Sequence, residues 1–267
     1  MRLTKHHGLG NDFLVLADPN GIRPITTDLA RAVCDRNRGI GADGLLRLSP
    51  GRDAADVSMT LLNADGGRAE MSGNGIGCLV QAAVLSGLAL PPRVRVATDA
   101  GIRTVDVMPA ESPRSHQVTV EMGTPLLDEE EPEWAGGQVL RAVPVSMGNP
   151  HLVLHAAEAD LVADREWVAD VGRRANAAIA GGVNVEVIAV GERDELVMDV
   201  YERGVGLTLA CGTGACAAAA AGKKWELVGD RVTVRMVGGP AMVDLSGSAA
   251  RLTTPIEYVG AVDVPWP

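Results

Sequence analysis

One cysteine stands at the start of an alanine-rich segment of the chain. Cys211 directly precedes Gly212-Thr213-Gly214, and residues 217–221 are all alanine. This spacing predicts a helix with Cys211 at its N-terminus, where unpaired amide groups and the helix dipole lower the pKa of a thiol. The two glycines also allow backbone amides to approach a ligand carboxylate closely. Cys211 is therefore a candidate acid/base, and the alternative is a small buried residue that packs a tight turn.

A glycine-rich loop in the first half of the chain is similar to the Cys211 segment. Ser72 precedes Gly73-Asn74-Gly75, and small and apolar residues follow. The same order of features occurs in both halves: Asn11, Asn63 and Ser72 in the first, and Asn149, Glu202 and Cys211 in the second. Ser72 follows Asn11 by 61 residues, and Cys211 follows Asn149 by 62. Ser72 also follows Asn63 by 9 residues, as Cys211 follows Glu202 by 9. We infer two similar domains that face one another, with the site at their interface.

This repeat makes Ser72 the counterpart of Cys211. Two acid/base groups at opposed helix N-termini, with a carboxylate held between both sets of amides, are suited to moving a proton between the two faces of an α-carbon. Removal of that proton is difficult, because the negative charge that develops on the carboxylate needs preorganised hydrogen-bond donors. Two helix N-termini would supply these donors.

Composition argues against several other classes of protein. The 267 residues carry a formal net charge of −10, the wrong sign for a protein that binds nucleic acid or an anionic membrane. No apolar run of about 18 residues and no signal-peptide pattern occur, so we expect a cytoplasmic protein without nucleic-acid or membrane partners. Four cysteines are too few for a disulfide framework, and Cys34 and Cys216 are predicted to lie in the core.

The sequence offers few residues that could bind a cofactor or a metal. Only three lysines are available to form a Schiff base with pyridoxal phosphate. The five histidines are not arranged as a ligand triad with a carboxylate, and His151 and His155 fall on a predicted strand. We therefore expect neither a cofactor nor a metal.

The elements that would position the candidate residues are mostly short strands. Val- and Leu-rich segments of period two predict strands at 13–16, 57–62, 93–97, 103–107, 117–121, 183–189 and 231–236. Helices are predicted at 27–37 and 160–175 and after Gly75 and Gly214. We expect a mixed α and β protein with more strand than helix and without regular βαβ alternation. The acidic run 128–133 is interpreted as a solvated linker between the halves.

Six motifs together resemble the diaminopimelate epimerase family. They are KHHGLGNDFLV, DRNRGIGADGLL, NADGGRAEMSGNG, SMGNPHLV, GGVNVEVI and YERGVGLTLACGTGAC, and the resemblance runs nearly from end to end. It implies an α+β fold of two pseudosymmetric α/β domains, each a mostly antiparallel sheet wrapped around a central helix. The halves would be residues 1–125, joined by 256–267, and residues 126–255, and the protein would be a homodimer. The implied activity is that of a cofactor-independent isomerase, which converts LL- to meso-2,6-diaminopimelate for lysine and peptidoglycan biosynthesis.

The resemblance also assigns roles to individual residues. It implies that Cys211 is one of two catalytic acid/bases, with Glu202 as its proton-handling neighbour and His151 near the base of the first half. The residues implied to bind the distal end of the substrate are Asn11, Asn63, Asn149, Asn184, Glu202 and Arg203. Those implied to offer backbone amides to the reacting carboxylate are Gly73, Asn74, Gly212 and Thr213. Taken singly, the asparagines are also compatible with turn and loop stabilisation.

The chain departs from the family at Ser72, where the family has its first catalytic cysteine. A hydroxyl is far less acidic than a thiol, so Ser72 is a poor general base, although it can donate a hydrogen bond or pass a proton through water. Cys78 cannot replace it, because it lies about 9 Å further along the predicted helix. Three explanations stay open: a substitution made to trap the enzyme, a natural variant that works through Cys211 with Ser72 and His151 as a weaker relay, and drift to another reaction.

Two other functions are compatible with these residues. One is a proline or hydroxyproline racemase or dehydratase, in which unequal pairs of Ser, Thr and Cys occur. Against it, Glu202, Arg203 and the asparagines suit a long substrate with a charged distal end, and the chain lacks a Cys-Gly-His sequence. The other is a catalytically silent homologue that binds an amino acid. A binder would show affinity without exchange of the α-hydrogen for solvent deuterium, whereas an enzyme would exchange it.

Overall fold

The chain divides into two compact units, Met1–Glu121 with Thr253–Pro267, and Met122–Leu252. The computed structural model describes residues 1–69, 72–99, 101–110, 112, 114–134 and 136–265. Glu70 and Met71 of the third motif and the last two residues of the predicted segment 256–267 therefore lie outside the described residues. The predicted boundaries at 125 and 256 lie a few residues from those of the compact units.

The acidic run 128–133 lies within the second unit and not between the two. The backbone N–H of Asp128 donates to Pro144 O at 3.1 Å, and that of Glu131 donates to Ala142 O at 2.9 Å. A short 3-10 turn, Pro132–Trp134, follows directly. The interpretation of this run as a linker is wrong, because its backbone is hydrogen-bonded to a neighbouring strand.

The first unit is a closed ring of strands around a helix. Its strands are β1 (Arg2–Gly8), β2 (Asn11–Ala17), β3 (Gly44–Pro50), β4 (Val57–Asn63), β5 (Arg68–Ala69), β6 (Arg93–Thr98), β7 (Gly101–Pro109), β8 (Ser115–Gly123) and β17 (Ala250–Asp263). Neighbours pair in the order β1, β2, β3, β4, β6, β7, β8 and β17, and β17 pairs with β1. The ring encloses α2 (Gly73–Leu85), while α1 (Thr27–Cys34) packs against β3 and β4.

The second unit repeats this plan. Its strands are β9 (Leu126–Leu127), β10 (Val139–Ser146), β11 (Pro150–Ala156), β12 (Asn184–Val190), β13 (Glu195–Glu202), β14 (Gly206–Leu207), β15 (Arg231–Met236) and β16 (Gly239–Asp244). They pair in the order β10, β11, β12, β13, β15 and β16, with β9 on β10 and β14 on β13. The helix α5 (Gly212–Lys224) contacts all six main strands, and α3 (Ala159–Ala163) and α4 (Arg165–Ala178) pack against β12 and β13.

The two units share one sequence of strand pairings. In the first unit the pairs β2–β3 and β4–β6 are parallel, whereas β1–β17, β1–β2, β3–β4, β4–β5, β6–β7 and β7–β8 are antiparallel. In the second unit the parallel pairs are β11–β12 and β13–β15, at the same places in the order. The predicted internal repeat and the predicted α+β class with mostly antiparallel sheets around central helices are confirmed.

Small and apolar residues allow each central helix to be enclosed. A helix that is surrounded by a sheet must be apolar on every side, and it must be narrow enough for the strands to close around it. All residues from Gly73 to Ala83 in α2 are buried, as are all residues from Gly214 to Gly222 in α5. The alanine run that predicted a helix thus also determines where that helix lies. The described residues include no helix that is long and apolar enough to cross a membrane.

The predicted strands agree with the structure better than the predicted helices. Six of the seven predicted strands lie inside observed strands, and 183–189 is shifted by one residue. The helix predicted at 160–175 is two helices, because Asp164 ends α3 and its carboxylate accepts from Glu166 N and Trp167 N at the start of α4. The helix predicted to 37 ends at Cys34. The central helices begin at Gly73 and Gly212, three residues before the predicted starts.

Candidate active site

Ser72 and Cys211 occupy the same local position in their units. Each is the N-cap residue of a central helix and has extended backbone, with φ −144° and ψ 127° at Ser72 and φ −130° and ψ 114° at Cys211. Ser72 Oγ accepts from Gly75 N at 3.0 Å, and Cys211 Sγ accepts from Gly214 N at 3.4 Å. The prediction that both residues lie at helix N-termini is confirmed, and the local geometry supports their pairing by the repeat.

The amides predicted to bind a carboxylate lie at these same helix ends. Gly73 and Asn74 are the first two residues of α2, and Gly212 and Thr213 are the first two of α5. The first N–H groups of a helix lack intrahelical partners and carry the positive end of the helix dipole. Each helix end can therefore hold a carboxylate without a charged side chain.

An asparagine contacts the first turn of each central helix. In the first unit, Asn74 Nδ2 donates to Asn11 Oδ1 at 3.3 Å, and Asn11 Nδ2 donates to Asp43 Oδ2 at 2.6 Å. In the second unit, Asn149 Nδ2 donates to Thr213 Oγ1 at 3.4 Å. Asn11 and Asn149 hold equivalent places in the repeat, and each contacts the second residue of its central helix, Asn11 as acceptor and Asn149 as donor. Asp43, which orients Asn11, lies in the second motif but was not among the predicted site residues.

The environment of Cys211 differs from the one predicted for it. The residue is 7% exposed, and Thr213 Oγ1 lies 3.5 Å from its sulfur. Burial, together with the negative charges of Glu202 and Glu186, raises the pKa of the Cys211 thiol well above its ordinary value, against the hydrogen bonds from Thr213 and Gly214. The helix N-terminus lowers this pKa through the Gly214 amide, as predicted, but the net shift is upward because the cost of desolvating a thiolate exceeds the effect of the helix end. Cys211 is a thiol in this arrangement and can act first as an acid.

His151 belongs to a buried hydrogen-bonded pair that the sequence did not reveal. Its Nδ1 lies 2.7 Å from Glu186 Oε1, and both side chains are fully buried. Its Nε2 lies 3.1 Å from Asn149 Oδ1. Glu186 sits within the motif GGVNVEVI, but its partner is 35 residues away in the chain. The register of β11 and β12 brings the two together, since His151 is opposite Asn184, two residues before Glu186.

Three more predicted residues lie together at the ends of β12 and β13. Asn184 is 6% exposed, its Nδ2 donates to Pro150 O at 3.0 Å, and its Oδ1 accepts from Arg203 N at 2.9 Å. Glu202 Oε1 accepts from Thr208 Oγ1 at 2.5 Å. Asn184 is thus hydrogen-bonded to backbone groups and holds the turn that carries Arg203, whose guanidinium is exposed. Asn63, in the first unit, is exposed at the end of β4.

The remaining cysteines are core residues, as predicted. Cys34, Cys78 and Cys216 are each buried. Burial raises the pKa of Cys34 and of Cys216 to about 12, and it raises that of Cys78 as well. None of these thiols is suited to acid/base work near neutral pH. His151 and His155 lie on β11, the strand on which they were predicted to fall, and no metal-binding group of three or more His, Cys, Asp or Glu residues occurs in the described ranges.

Proteins of similar sequence share one description. The family model for diaminopimelate epimerase matches residues 3–127 and 143–259. The diaminopimelate epimerase of Pelotomaculum thermopropionicum is 38% identical, with 100% of this chain and 99% of the relative covered. That of a Cyanothece species is 39% identical, with 97% of this chain and 98% of the relative covered.

Solved structures of more distant proteins share the fold. A Bacillus anthracis phenazine biosynthesis protein of the PhzF family has a TM-score of 0.74 at 15% identity, covering 100% of this chain and 99% of that one. A hydroxyproline epimerase from Agrobacterium vitis has a TM-score of 0.72 at 19% identity, covering 99% and 93%. At such identities the likeness concerns the fold alone, whereas the sequence matches cover nearly the whole length at more than a third identity. This chain therefore belongs to the diaminopimelate epimerase family of isomerases.

Proposed function

We propose that this chain converts LL-2,6-diaminopimelate to meso-2,6-diaminopimelate by proton transfer at the α-carbon. In this proposal Cys211 is the thiol acid/base, and Ser72 stands in place of the usual second cysteine. The observation that carries it is the position of Cys211, at the N-terminus of a buried helix, with Thr213 Oγ1 and Gly214 N within hydrogen-bond distance of its sulfur. The product would serve lysine and peptidoglycan biosynthesis.

In this mechanism the N-termini of the helices stabilise the negative charge that develops during the reaction. As the α-proton leaves, negative charge spreads onto the substrate carboxylate, where the amides at the first turns of α2 and α5 would stabilise it. The raised pKa of Cys211 favours the thiol form, so this residue donates its proton to one face of the carbanion. The thiolate that remains would be stabilised by the donors from Thr213 and Gly214.

Ser72 makes the two directions of the reaction unequal. Its hydroxyl is a weak base, so we assign proton removal on its face to Ser72 with water or His151 as a slower relay. Proton removal by a Cys211 thiolate should be the faster of the two. The distal end of the substrate would be bound by the asparagines with Glu202 and Arg203, which supply polar and charged groups suited to a second amino-acid end.

Incubation with each isomer in D2O tests the proposal. We expect α-deuteration with inversion from both LL- and meso-diaminopimelate, with unequal rates from the two. Cys211→Ala should abolish exchange, while Cys216→Ala, a change of the same type in the buried part of the same helix, should retain it. Full exchange in Cys211→Ala would refute the role of Cys211. Ser72→Cys should raise turnover, because a thiol is a better general base than a hydroxyl.

A silent amino-acid-binding homologue is the second candidate function. The serine at position 72 and the burial of Cys211 favour it, because both weaken proton transfer. Binding of either isomer with no deuteration from either would support this alternative and overturn the epimerase proposal.

We further propose that the protein acts as a homodimer, as the family resemblance implies. Light scattering after size exclusion would give the mass of the particle. A mass of one chain at micromolar concentration would contradict the dimer.

A further inference from the structure

Glu186 is a buried side chain whose position is not explained by a contribution to protein stability. Its Oε1 lies 2.7 Å from His151 Nδ1, and both side chains are fully buried. Its Oε2 is also buried and has no hydrogen-bond partner among the described residues. A buried charged group with an unsatisfied oxygen costs free energy, and an apolar residue of similar size would be less costly. The presence of Glu186 in this buried position therefore points to a role in the reaction.

The hydrogen bonds from this pair to the thiol have a defined direction. Asn149 Nδ2 donates to Thr213 Oγ1 at 3.4 Å, so the carbonyl oxygen of Asn149 faces His151 Nε2 at 3.1 Å. That nitrogen must then carry a hydrogen. Because Thr213 Oγ1 accepts from Asn149, its own hydrogen is available for the Cys211 sulfur, 3.5 Å away. Four contacts thus connect Glu186 to Cys211.

The first unit lacks this pair at the equivalent positions. There Phe13 pairs with Gly44, as His151 pairs with Asn184 in the second unit. The residue two positions after Gly44 is Leu46, which corresponds to Glu186. Phe13 and Leu46 are both buried and apolar. The pair is therefore not required by the shared fold, and it occurs only in the unit that carries Cys211.

A glycine makes room for the carboxylate beside the thiol. A Cβ placed on Gly214 would lie 2.5 Å from Glu186 Oε1. The backbone of Gly214 is helical, and alanine is ordinarily the more stabilising residue in a helix. Any side chain at this position would displace Glu186 from His151. The first turn of α5 thus accommodates both the Cys211 sulfur, which accepts from the Gly214 amide, and Glu186.

We propose that Glu186 is a positioning residue: it holds His151 so that, through Asn149 and Thr213, a hydroxyl hydrogen is directed at the Cys211 sulfur. The hydroxyl would stabilise the thiolate that forms when Cys211 gives its proton to the carbanion. Glu186 and His151 share one further proton between Oε1 and Nδ1, which keeps His151 Nε2 protonated in either arrangement. This role rests on the epimerase function proposed above.

Nitrogen-15 NMR of the histidine rings tests the positioning without any substrate. In the unmodified protein we expect the His151 ring to show a protonated Nε2. Glu186→Gln keeps a hydrogen-bond donor for Nδ1, so Nδ1 should stay hydrogen-bonded beside the protonated Nε2. Glu186→Leu, which copies the first unit, removes the partner of Nδ1 and should give the resonance of a ring nitrogen without a hydrogen bond there. Asp199→Asn is the control, because Asp199 is another buried carboxylate of the second unit, bound to Arg165. An unprotonated Nε2 in the unmodified protein would overturn the proposal.

A pair of glycine variants supplies the kinetic test. Gly214→Ala removes no side-chain polar group but displaces Glu186, while Gly222→Ala in the same helix meets only the apolar side chains of Leu196 and Val228. We expect Gly214→Ala and Glu186→Leu to slow α-deuteration by about tenfold or more at nearly unchanged KM, and Gly222→Ala and Glu186→Gln to stay within about threefold.

The outcomes separate this inference from the proposed function. Folded Gly214→Ala and Glu186→Leu proteins that exchange at the unmodified rate would overturn the role of Glu186 and leave the epimerase intact. If the unmodified protein deuterates neither isomer, the proposed function fails, and the NMR pattern still decides whether Glu186 orients His151.

Discussion

Mild acid should destabilise the first unit through His6. This residue lies on β1 with 0% exposure, its Nδ1 is 2.7 Å from Gln81 Oε1, and its Nε2 is 2.9 Å from Thr4 Oγ1. Gln81 lies on α2 and its Nε2 donates to Ile256 O on β17 at 2.9 Å. This network ties the helix that carries Ser72 to two strands of the ring. Burial is the main reason that the pKa of His6 falls from 6.5 to about 4.

The sign and size of the effect follow from this shift. The unfolded chain takes up a proton near pH 6.5, while folded His6 resists it until about pH 4. The neutral ring thus contributes stability that is present above pH 6.5 and lost as the pH falls toward 4. The whole shift corresponds to about 3 kcal/mol at 1.36 kcal/mol per pKa unit. Between pH 7.5 and pH 5.0 the loss from His6 alone should be about 2 kcal/mol.

Urea unfolding at both pH values measures this loss. His6→Gln removes the titrating ring, so its free energy of unfolding should fall less between pH 7.5 and pH 5.0, by about 2 kcal/mol relative to the unmodified protein. His7→Gln is the matched control, since His7 is the next residue on the same strand and its side chain is 33% exposed. An NMR titration that finds His6 protonating near pH 6.5 in the folded protein would refute the reasoning, as would equal pH dependence in His6→Gln.

Two further predictions concern the second unit. Gly172→Ala in α4 should lower the free energy of unfolding by about 1–3 kcal/mol, because the new Cβ would overlap Tyr201. This loss is expected even though alanine favours a helix more than glycine does. An unchanged melting temperature would contradict this packing. Iodoacetamide should alkylate Cys211 slowly below pH 9, since burial and the charges of Glu202 and Glu186 raise its pKa, and Glu202→Gln should accelerate the reaction by removing one of these charges. A rate that is already at its plateau at pH 8 would show that the thiol is more acidic than its surroundings imply.

Local signals predicted the strands, the repeat and the two helix N-termini. Alternating apolar residues are buried on one face of a strand whatever the strand pairs with, so segments such as 231–236 were predicted at their observed bounds. Helix bounds depend on caps, and the carboxylate of Asp164 divides the segment predicted as one helix. Acidic composition did not show that segment 128–133 is not a linker, because its backbone hydrogen bonds are made to Ala142 and Pro144 on β10.

The sequence by itself determined that this chain has two similar halves, that Ser72 and Cys211 begin equivalent helices, and that it belongs with the diaminopimelate epimerases. These properties depend on spacing and residue type over short stretches, which the chain carries in every conformation. The tertiary structure decided the chemical state of the site. Glu186 reaches His151 only through the register of β11 and β12, and the pKa of Cys211 rises because burial in the folded unit desolvates its sulfur and because the charges of Glu202 and Glu186 act on it. Desolvation and charge act through space, so the order of residues along the chain does not reveal them.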